Sequence, residues 1–191
     1  MYRINDDQRA IRSGEMLYDG LAKLIREKPL DEITVTDLVQ AAQVGRATFY
    51  RNFDYIEDVL RLRCDQVCEG LVAYYINYVM EYGTEARPPL LQPMLRYFDT
   101  HSDMIELLML ADRLDIFSTS FRRVFDPFRA RFAERFGVEE EYADYAMAIR
   151  IGFITSVLVH WIETGKQQEP DELAEKLSGM ITNMVLREQL L

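Results

Sequence analysis

The sequence predicts an all-α protein with a small N-terminal helical domain and a larger helical body. Apolar residues recur at helical spacing along most of the chain, alternating strand patterns are missing, and the few Gly and Pro residues fall between periodic segments. With 191 residues, 49% of them hydrophobic, the chain is long enough to bury a sizeable core. We expect about nine helices, divided into residues 1–53 and residues 54–191.

Three short helices are predicted before residue 54. The first has an apolar face that ends at Pro29. Thr34 and Asp37 have the spacing of a capping box, which places the start of the second helix. A short break at 43–45 leads into a third helix over 46–52. Two helices joined by a tight turn behind a first helix are typical of a helix-turn-helix unit, whose last helix lies in the DNA major groove.

The third helix carries side chains suited to DNA. Arg46 suits a guanine edge or a phosphate, and Ala47 allows close approach and contact with a thymine methyl. Thr48 and Tyr50 are suited to donating hydrogen bonds to phosphate. Phe49 points inward, toward the first two helices. The predicted DNA contacts are Thr36, Gly45, Arg46, Ala47, Thr48, Tyr50, Arg51 and Asn52.

Residues 33–60 closely resemble the N-terminal domain of the TetR (tetracycline-repressor-like) family. The most specific part is the triplet Thr48-Phe49-Tyr50 followed by Phe53, and residues 160–173 are more weakly similar to the C-terminal region of one branch of the family. The resemblance implies an all-helical homodimer. Its two N-terminal domains, here called heads, bind a palindromic operator in double-stranded DNA. It further implies that a small-molecule effector, bound in the C-terminal domain, releases the DNA. We therefore expect a cytoplasmic, ligand-responsive repressor.

Three positions depart from the family pattern. Gln43 occupies a turn position that usually carries glycine, where a left-handed backbone strains a larger residue. Gly45 replaces the usual serine or asparagine cap. Ile56 replaces a lysine that often meets phosphate, and each lost phosphate contact weakens DNA binding. Ile56, together with the acidic net charge, keeps an alternative open, a TetR-fold coregulator that acts through protein–protein contacts without strong DNA binding.

The acidic charge lies outside the predicted head. The net charge is −10, yet the first 53 residues contain eight basic and eight acidic residues, so the remaining fourteen basic and twenty-four acidic residues carry the whole excess. A neutral head binds phosphate where its basic groups share one face, whereas an acidic body is repelled by DNA. We expect salt-sensitive operator binding that requires two heads.

The long helix expected over 139–165 is apolar on nearly every side, which predicts burial against its own domain and against a second copy of the chain. The last helix adds one apolar stripe, so these two helices and their copies would form a four-helix interface. A monomeric core with an apolar centre is the alternative. The segment is nearly long enough to span a membrane, but it contains Arg150 and His160, and we expect no membrane contact. The predicted interface residues are Gly152, Ser156, Leu173, Leu177, Met180 and Met184.

Aromatic and soft apolar side chains of the body are the candidate effector contacts, together with one arginine that would suit an anionic effector. The same side chains are equally suited to a packed core. The predicted effector contacts are Tyr97, Phe98, His101, Met104, Phe121, Tyr145, Arg150 and Trp161.

No enzyme motif is recognised in the sequence. The chain has two histidines, no nucleophile–base spacing and no phosphate-binding loop, so we expect neither catalysis nor a cofactor or metal. Cys64 and Cys68 share one helical face, where a disulfide between them would be strained. We expect both thiols to pack in the core, with redox or metal sensing as the alternative.

Overall fold

The computed structural model describes residues 2–3, 8–82 and 91–188, without the side chains of residues 82, 131–132, 135–136 and 181–188. Helices dominate the described residues, and the predicted all-α fold is confirmed. Single 3-10 turns lie at Leu30–Glu32, Asp126–Phe128 and Glu140–Tyr142. The ten α-helices of these ranges are α1 (Gln8–Ile25), α2 (Val35–Ala41), α3 (Arg46–Asn52), α4 (Glu57–Tyr82), α5 (Leu91–Thr100), α6 (Asp103–Leu110), α7 (Leu114–Phe125), α8 (Arg129–Phe136), α9 (Ala143–Glu163) and α10 (Pro170–Glu188).

The chain forms two compact units. The N-terminal unit comprises residues 1–68 and 103–124, and the C-terminal unit comprises residues 69–102 and 125–191. The first unit therefore contains α1 to α3, the first half of α4, and α6 with nearly all of α7. The second contains the rest of α4 with α5, α8, α9 and α10. The division predicted after residue 53 separates a DNA-binding domain from an effector-binding and dimerisation domain, and it stays a prediction.

The helix boundaries follow local chemistry. The Thr34 hydroxyl accepts the N–H of Asp37 at 3.1 Å, and the Asp37 carboxylate accepts the N–H of Thr34 at 3.0 Å, which confirms the predicted capping box. Gln43 has a φ of 53°, the left-handed conformation predicted for the turn. The turn Asp126–Phe128 separates α7 from α8, because Pro127 lacks the N–H that a continuous helix needs.

Helices α1, α2 and α3 surround a small apolar core in the N-terminal unit. Leu21 of α1, Leu38 of α2 and Phe49 of α3 are fully buried. Helix α1 approaches α2 so closely that a Cβ atom built on Gly20 would lie 2.9 Å from the backbone nitrogen of Ala42. Helix α3 packs against both α1 and α2, so this closely packed core determines its position.

In the C-terminal unit, α10 packs on α5 and α8 packs on α9. The Arg96 guanidinium makes two hydrogen bonds to the Asp171 carboxylate, both 2.6 Å long. The buried Trp161 indole donates to the carbonyl of Gln168 at 3.0 Å. Since Gln168 lies beyond the end of α9, this bond holds the turn that leads into α10.

One face of α9 is exposed although it is apolar. The exposed fraction is 73% for Ile149 and 70% for Tyr145. Among the described residues, Glu140–Glu163 is the one segment long and apolar enough to cross a membrane, with a mean hydropathy of 1.5, and 33% of its most apolar window is buried. Length and composition are the same for a membrane span and for an apolar helix of a soluble core or interface.

Candidate nucleic-acid interface

Helix α3 is anchored through its inward side. The Phe49 ring is fully buried and lies edge-on to Tyr50, with 5.3 Å between ring centroids, and 5.8 Å from the ring of Phe53. The Gly45 carbonyl accepts the N–H groups of Thr48 and Phe49 at 2.9 and 3.2 Å, so the helix begins directly after the turn without a side-chain cap. With this inward side fixed, the outward side has a defined orientation.

The outward side of α3 is exposed and carries cations. Arg46, Ala47 and Arg51 are exposed, and the Tyr50 side chain is 52% exposed. None of the seven residues of α3 is acidic, so the helix presents positive charge along its length. Seven residues span about 10 Å at 1.5 Å per residue, which fits a major groove about 12 Å wide.

The other predicted DNA contacts fall in two kinds of environment. Thr36 on α2 and Gly45 before α3 are exposed, and Thr48 is half-buried. Asn52 is only 5% exposed, and its side-chain amide donates to the carbonyl of Thr48 at 3.1 Å. The Asn52 side chain is therefore engaged within α3 itself.

The start of α2 is held by an ion pair as well as by its capping box. The Lys28 ammonium lies 2.8 Å from the Asp37 carboxylate. This contact, with the hydrogen bonds from Thr34, lowers the pKa of Asp37 to about 2. Because the folded-state pKa is depressed, the stabilisation is present above the ordinary value of 3.8 and is lost as the pH falls toward 2. The cap is therefore fully formed at neutral pH.

The residues before α4 include an exposed phenol, Tyr55, next to Ile56, the position where the family often has lysine. Tyr55 is 66% exposed and Ile56 is half-buried. The buried Asp58 carboxylate accepts the N–H of Tyr55 at 3.0 Å and pairs with Arg61 at 2.8 Å. The backbone of Tyr55 is thus fixed at the end of the helix-turn-helix unit and its side chain is exposed there, at a position that sequence reasoning overlooked because it considered only charge.

A second feature was missed by sequence reasoning. Tyr2 forms an isolated antiparallel bridge with Phe53, and the N–H of Arg3 donates to the carbonyl of Asn52 at 2.8 Å. These two residues thus contact the end of α3. A pairing between residues about fifty positions apart has no local sequence pattern, and the one available signal was an aromatic residue in an otherwise polar N-terminal stretch.

The predicted effector contacts are split between the two units. Tyr97, Phe98 and His101 come together in the C-terminal unit. The rings of Tyr97 and His101 are stacked, with 4.2 Å between centroids and an interplanar angle of 2°, and Phe98 lies edge-on to Tyr97 at 5.3 Å. The His101 Nδ1 atom lies 2.8 Å from the Tyr97 carbonyl. The structure therefore brings three of the eight candidates into one aromatic cluster.

The remaining effector candidates lie elsewhere. Tyr145 is exposed and Arg150 is half-buried on α9, and Trp161 is engaged with Gln168. Met104 and Phe121 are buried in the N-terminal unit. That unit has a cleft of about 260 Å³ which none of the eight candidates lines; its walls are Ile11, Gly14, Glu15, Tyr18, Asp19, Val59, Leu62, Arg63 and Gln66.

Most of the predicted dimer contacts can be placed on the surface of α9 and α10. Gly152 and Ser156 are exposed, and a Cβ atom built on Gly152 meets no atom within 4 Å. Leu173 and Leu177 are half-buried, and Met180 is 57% exposed. Met184 belongs to α10, but its side chain lies outside the described residues.

The two cysteine thiols are fully buried in the N-terminal half of α4. A hydrogen bond to Cys64, together with burial, raises the pKa of the Cys68 thiol. A raised pKa suppresses the thiolate, which is the form that reacts with oxidants and binds metals.

Comparisons with known proteins were made for sequence and for structure. The family of tetR-type bacterial regulatory proteins matches residues 17–61, and a transcriptional regulator C-terminal region matches residues 87–183. Among curated proteins, none is significantly similar to this chain.

Three solved structures share the fold. A Listeria innocua protein has a TM-score of 0.73 at 18% identity, with 95% of this chain and 96% of that chain covered. A TetR transcriptional regulator from Streptococcus agalactiae has a TM-score of 0.61 at 21% identity, covering 92% and 96%. A transcriptional regulator of the TerR/AcrR family from Aquifex aeolicus has a TM-score of 0.56 at 17% identity, covering 90% and 99%. The C-terminal sequence match spans half of the chain, and a separate match covers the helix-turn-helix unit, so the chain belongs to the TetR family of DNA-binding transcriptional regulators.

Proposed function

We propose that this protein is a repressor that binds a palindromic operator as a homodimer and releases it when a small-molecule effector binds. The observation that carries the proposal is the exposed, acid-free side of α3, held outward by the buried Phe49 ring. The proposed DNA contacts are Thr36, Gly45, Arg46, Ala47, Thr48, Tyr50 and Arg51, and Asn52 is left out because its amide is engaged within α3.

Dimerisation is supported by the exposed apolar side of α9. Tyr145 and Ile149 are both at least 70% exposed, and small residues follow them at Gly152 and Ser156 on the same side. A second copy would remove this surface from water through an isologous contact. Two heads held at a fixed spacing bind a palindrome far more tightly than one head, because the second head binds from a high effective concentration.

The proposed effector contacts are Tyr97, Phe98 and His101. These side chains form a stacked aromatic cluster in the C-terminal unit, and the imidazole of His101 is exposed at its edge. Such a cluster suits an aromatic or other flat apolar effector. A compound that releases the operator from the parent protein should act at a higher concentration on the His101→Ala variant, and equal release concentrations would contradict this assignment.

The experiment that tests the proposal is selection of bound sequences from a random double-stranded DNA library, followed by affinity measurements at several salt concentrations. We expect a palindromic consensus. Arg46→Ala should weaken binding to the consensus about 10- to 150-fold and relax the preference at one base pair, as expected for loss of a base contact. Arg122→Ala, which removes an exposed arginine of α7, is the matched control and should bind like the parent.

Failure to enrich any sequence, at low or at moderate salt, would overturn the repressor proposal. That outcome would instead favour the coregulator, in which the same fold contacts another protein. Equal loss of affinity in Arg46→Ala and Arg122→Ala would also contradict the proposal, since it would show that charge rather than the α3 surface determines binding.

Restoring a cation at position 56 should strengthen operator binding. Ile56 is half-buried at the start of α4, beside the exposed Tyr55. We expect Ile56→Lys to tighten binding about threefold to tenfold at moderate salt and to steepen the slope of log affinity against log salt by about 0.9, the value for one added phosphate contact. Fluorescence anisotropy over a salt series measures both quantities. Ile56→Gln is the uncharged control, and a slope that stays the same in Ile56→Lys would show that this position does not meet phosphate.

A further inference from the structure

The backbone of the segment Tyr2–Arg3, here called the N-terminal latch, pairs with the backbone at the C-terminal end of α3. Tyr2 is bridged to Phe53, the C-cap of α3, and Arg3 donates its N–H to the carbonyl of Asn52, the last residue of α3. The Arg3 guanidinium pairs with Asp54. The latch therefore adds a tertiary contact at the C-terminal end of the short α3.

The Tyr2 side chain ties the same segment to α4 and α7. Its hydroxyl donates to Oδ2 of Asp65 at 2.5 Å. Asp65 lies on α4 and is only 6% exposed, and Arg123 of α7 approaches the same carboxylate oxygen at 2.7 Å. One buried carboxylate thus joins α4, α7 and the latch, all within the N-terminal unit.

The hydroxyl remains a hydrogen-bond donor under all ordinary conditions. Burial, reinforced by the hydrogen bond to Asp65, raises the pKa of Tyr2 to about 12. Because the raised value means that the protonated form is favoured, the hydrogen bond is present at neutral pH and is lost only in strong alkali.

Helix α3 needs such support for a physical reason. Seven residues are too few for a helix that is stable alone, so tertiary contacts must determine its orientation. Its buried side chains are Phe49 near the middle and Asn52 at the end, and the Asn52 amide bonds back to Thr48 of the same helix. An anchor near the middle permits the helix to pivot, whereas a second anchor at the C-terminal end fixes its direction.

We propose that the N-terminal latch positions α3 for operator binding through the hydrogen bond from Tyr2 to the Asp65–Arg123 pair. Tyr2 is then a positioning residue, which raises DNA affinity without contact with DNA. This inference rests on the proposed operator binding.

The test is the Tyr2→Phe variant, which removes one oxygen atom and keeps the ring. Operator affinity should fall about tenfold, because a hydrogen bond to a charged acceptor is lost. The salt slope should equal that of the parent, since no phosphate contact is removed. Tyr75→Phe, at a half-buried position of α4 in the C-terminal unit, is the matched control and should bind like the parent. Circular dichroism at the assay temperature establishes that all variants are folded.

Two results would contradict the proposed role of the latch. One is an affinity of Tyr2→Phe within twofold of the parent. The other is a salt slope that becomes shallower by about 0.9, which would mean that this segment contacts phosphate directly. Arg123→Gln provides a second variant, and we expect it to weaken binding in the same direction with the slope again unchanged.

Failure of the latch can be distinguished from failure of the proposed function. If the parent protein selects no DNA sequence, the repressor proposal fails, and the latch is then tested by amide hydrogen exchange over residues 46–53 in the free protein. We expect faster exchange there in Tyr2→Phe than in the parent and in Tyr75→Phe, with unchanged exchange in α10. Equal rates over residues 46–53 would overturn the latch irrespective of DNA binding.

Discussion

Ile149→Asp should convert the proposed dimer to a monomer and weaken operator binding at least about a hundredfold. Ile149 lies on the exposed apolar side of α9, with 73% of its side chain in contact with solvent in the single chain. In an isologous dimer the substitution introduces two carboxylates, one from each copy, into an apolar contact, where burying a charge is costly. Each monomer then binds with one head, and the avidity of about 10² to 10⁴ that two linked heads supply is lost.

Sedimentation velocity measures the mass of the species, and anisotropy with full-palindrome and half-site DNA measures the binding. The parent should prefer the full palindrome strongly, whereas Ile149→Asp should bind both DNAs with similar, weak affinity. Leu110→Asp is the control, because Leu110 is also an exposed apolar residue (61%) but lies on α6 in the N-terminal unit. A variant that remains dimeric and binds the operator within threefold of the parent would show that this side of α9 is not the dimer interface.

Features that depend on a few neighbouring residues could be predicted from the sequence. The Thr34–Asp37 capping box follows from the spacing of its two residues, and the left-handed Gln43 follows from the family resemblance, in which glycine usually holds that turn position. Both are present. Pairings between distant segments could not be predicted. The bridge from Tyr2 to Phe53 and the ion pair from Asp65 to Arg123 each join residues about fifty or more positions apart, so nothing near either partner indicates the other.

The candidate site shows the same limit within a single helix. Helical periodicity placed Phe49 inside, as observed. It did not reveal that the Asn52 amide would bond to the carbonyl four residues earlier, a local contact that competes with DNA for the side chain. Aromatic composition likewise could not separate effector contacts from core residues, because both use the same residue types. His101 is exposed, whereas Phe121 is buried.

Gly70→Ala should destabilise the protein, although alanine is normally the better residue in a helix. Gly70 lies within α4, where the exchange ordinarily gains about 1 kcal/mol. Here a Cβ atom would lie 2.5 Å from the hydroxyl oxygen of Tyr97. The Tyr97 ring cannot easily move away, because it is buried and stacked on His101. Overpacking of this kind costs about 1–3 kcal/mol, and with the ring held in place we expect the upper part of this range, about 2–3 kcal/mol, which exceeds the helical gain.

The clash depends on a single oxygen atom, so its removal should reverse the sign of the effect. After the hydroxyl, the nearest atom to the added Cβ is the Cζ atom of Tyr97 at 3.5 Å, an ordinary contact distance. In the Tyr97→Phe background, Gly70→Ala should therefore raise the melting temperature by about 2–4 °C, whereas in the parent it should lower it by about 2–8 °C. Gly179→Ala in α10, where a Cβ meets no atom within 4 Å, should be stabilising in both backgrounds. Scanning calorimetry at one fixed protein concentration measures all four combinations, since the stability of a dimer depends on concentration. An equal effect of Gly70→Ala in the two backgrounds would show that the Tyr97 hydroxyl does not limit the space at Gly70.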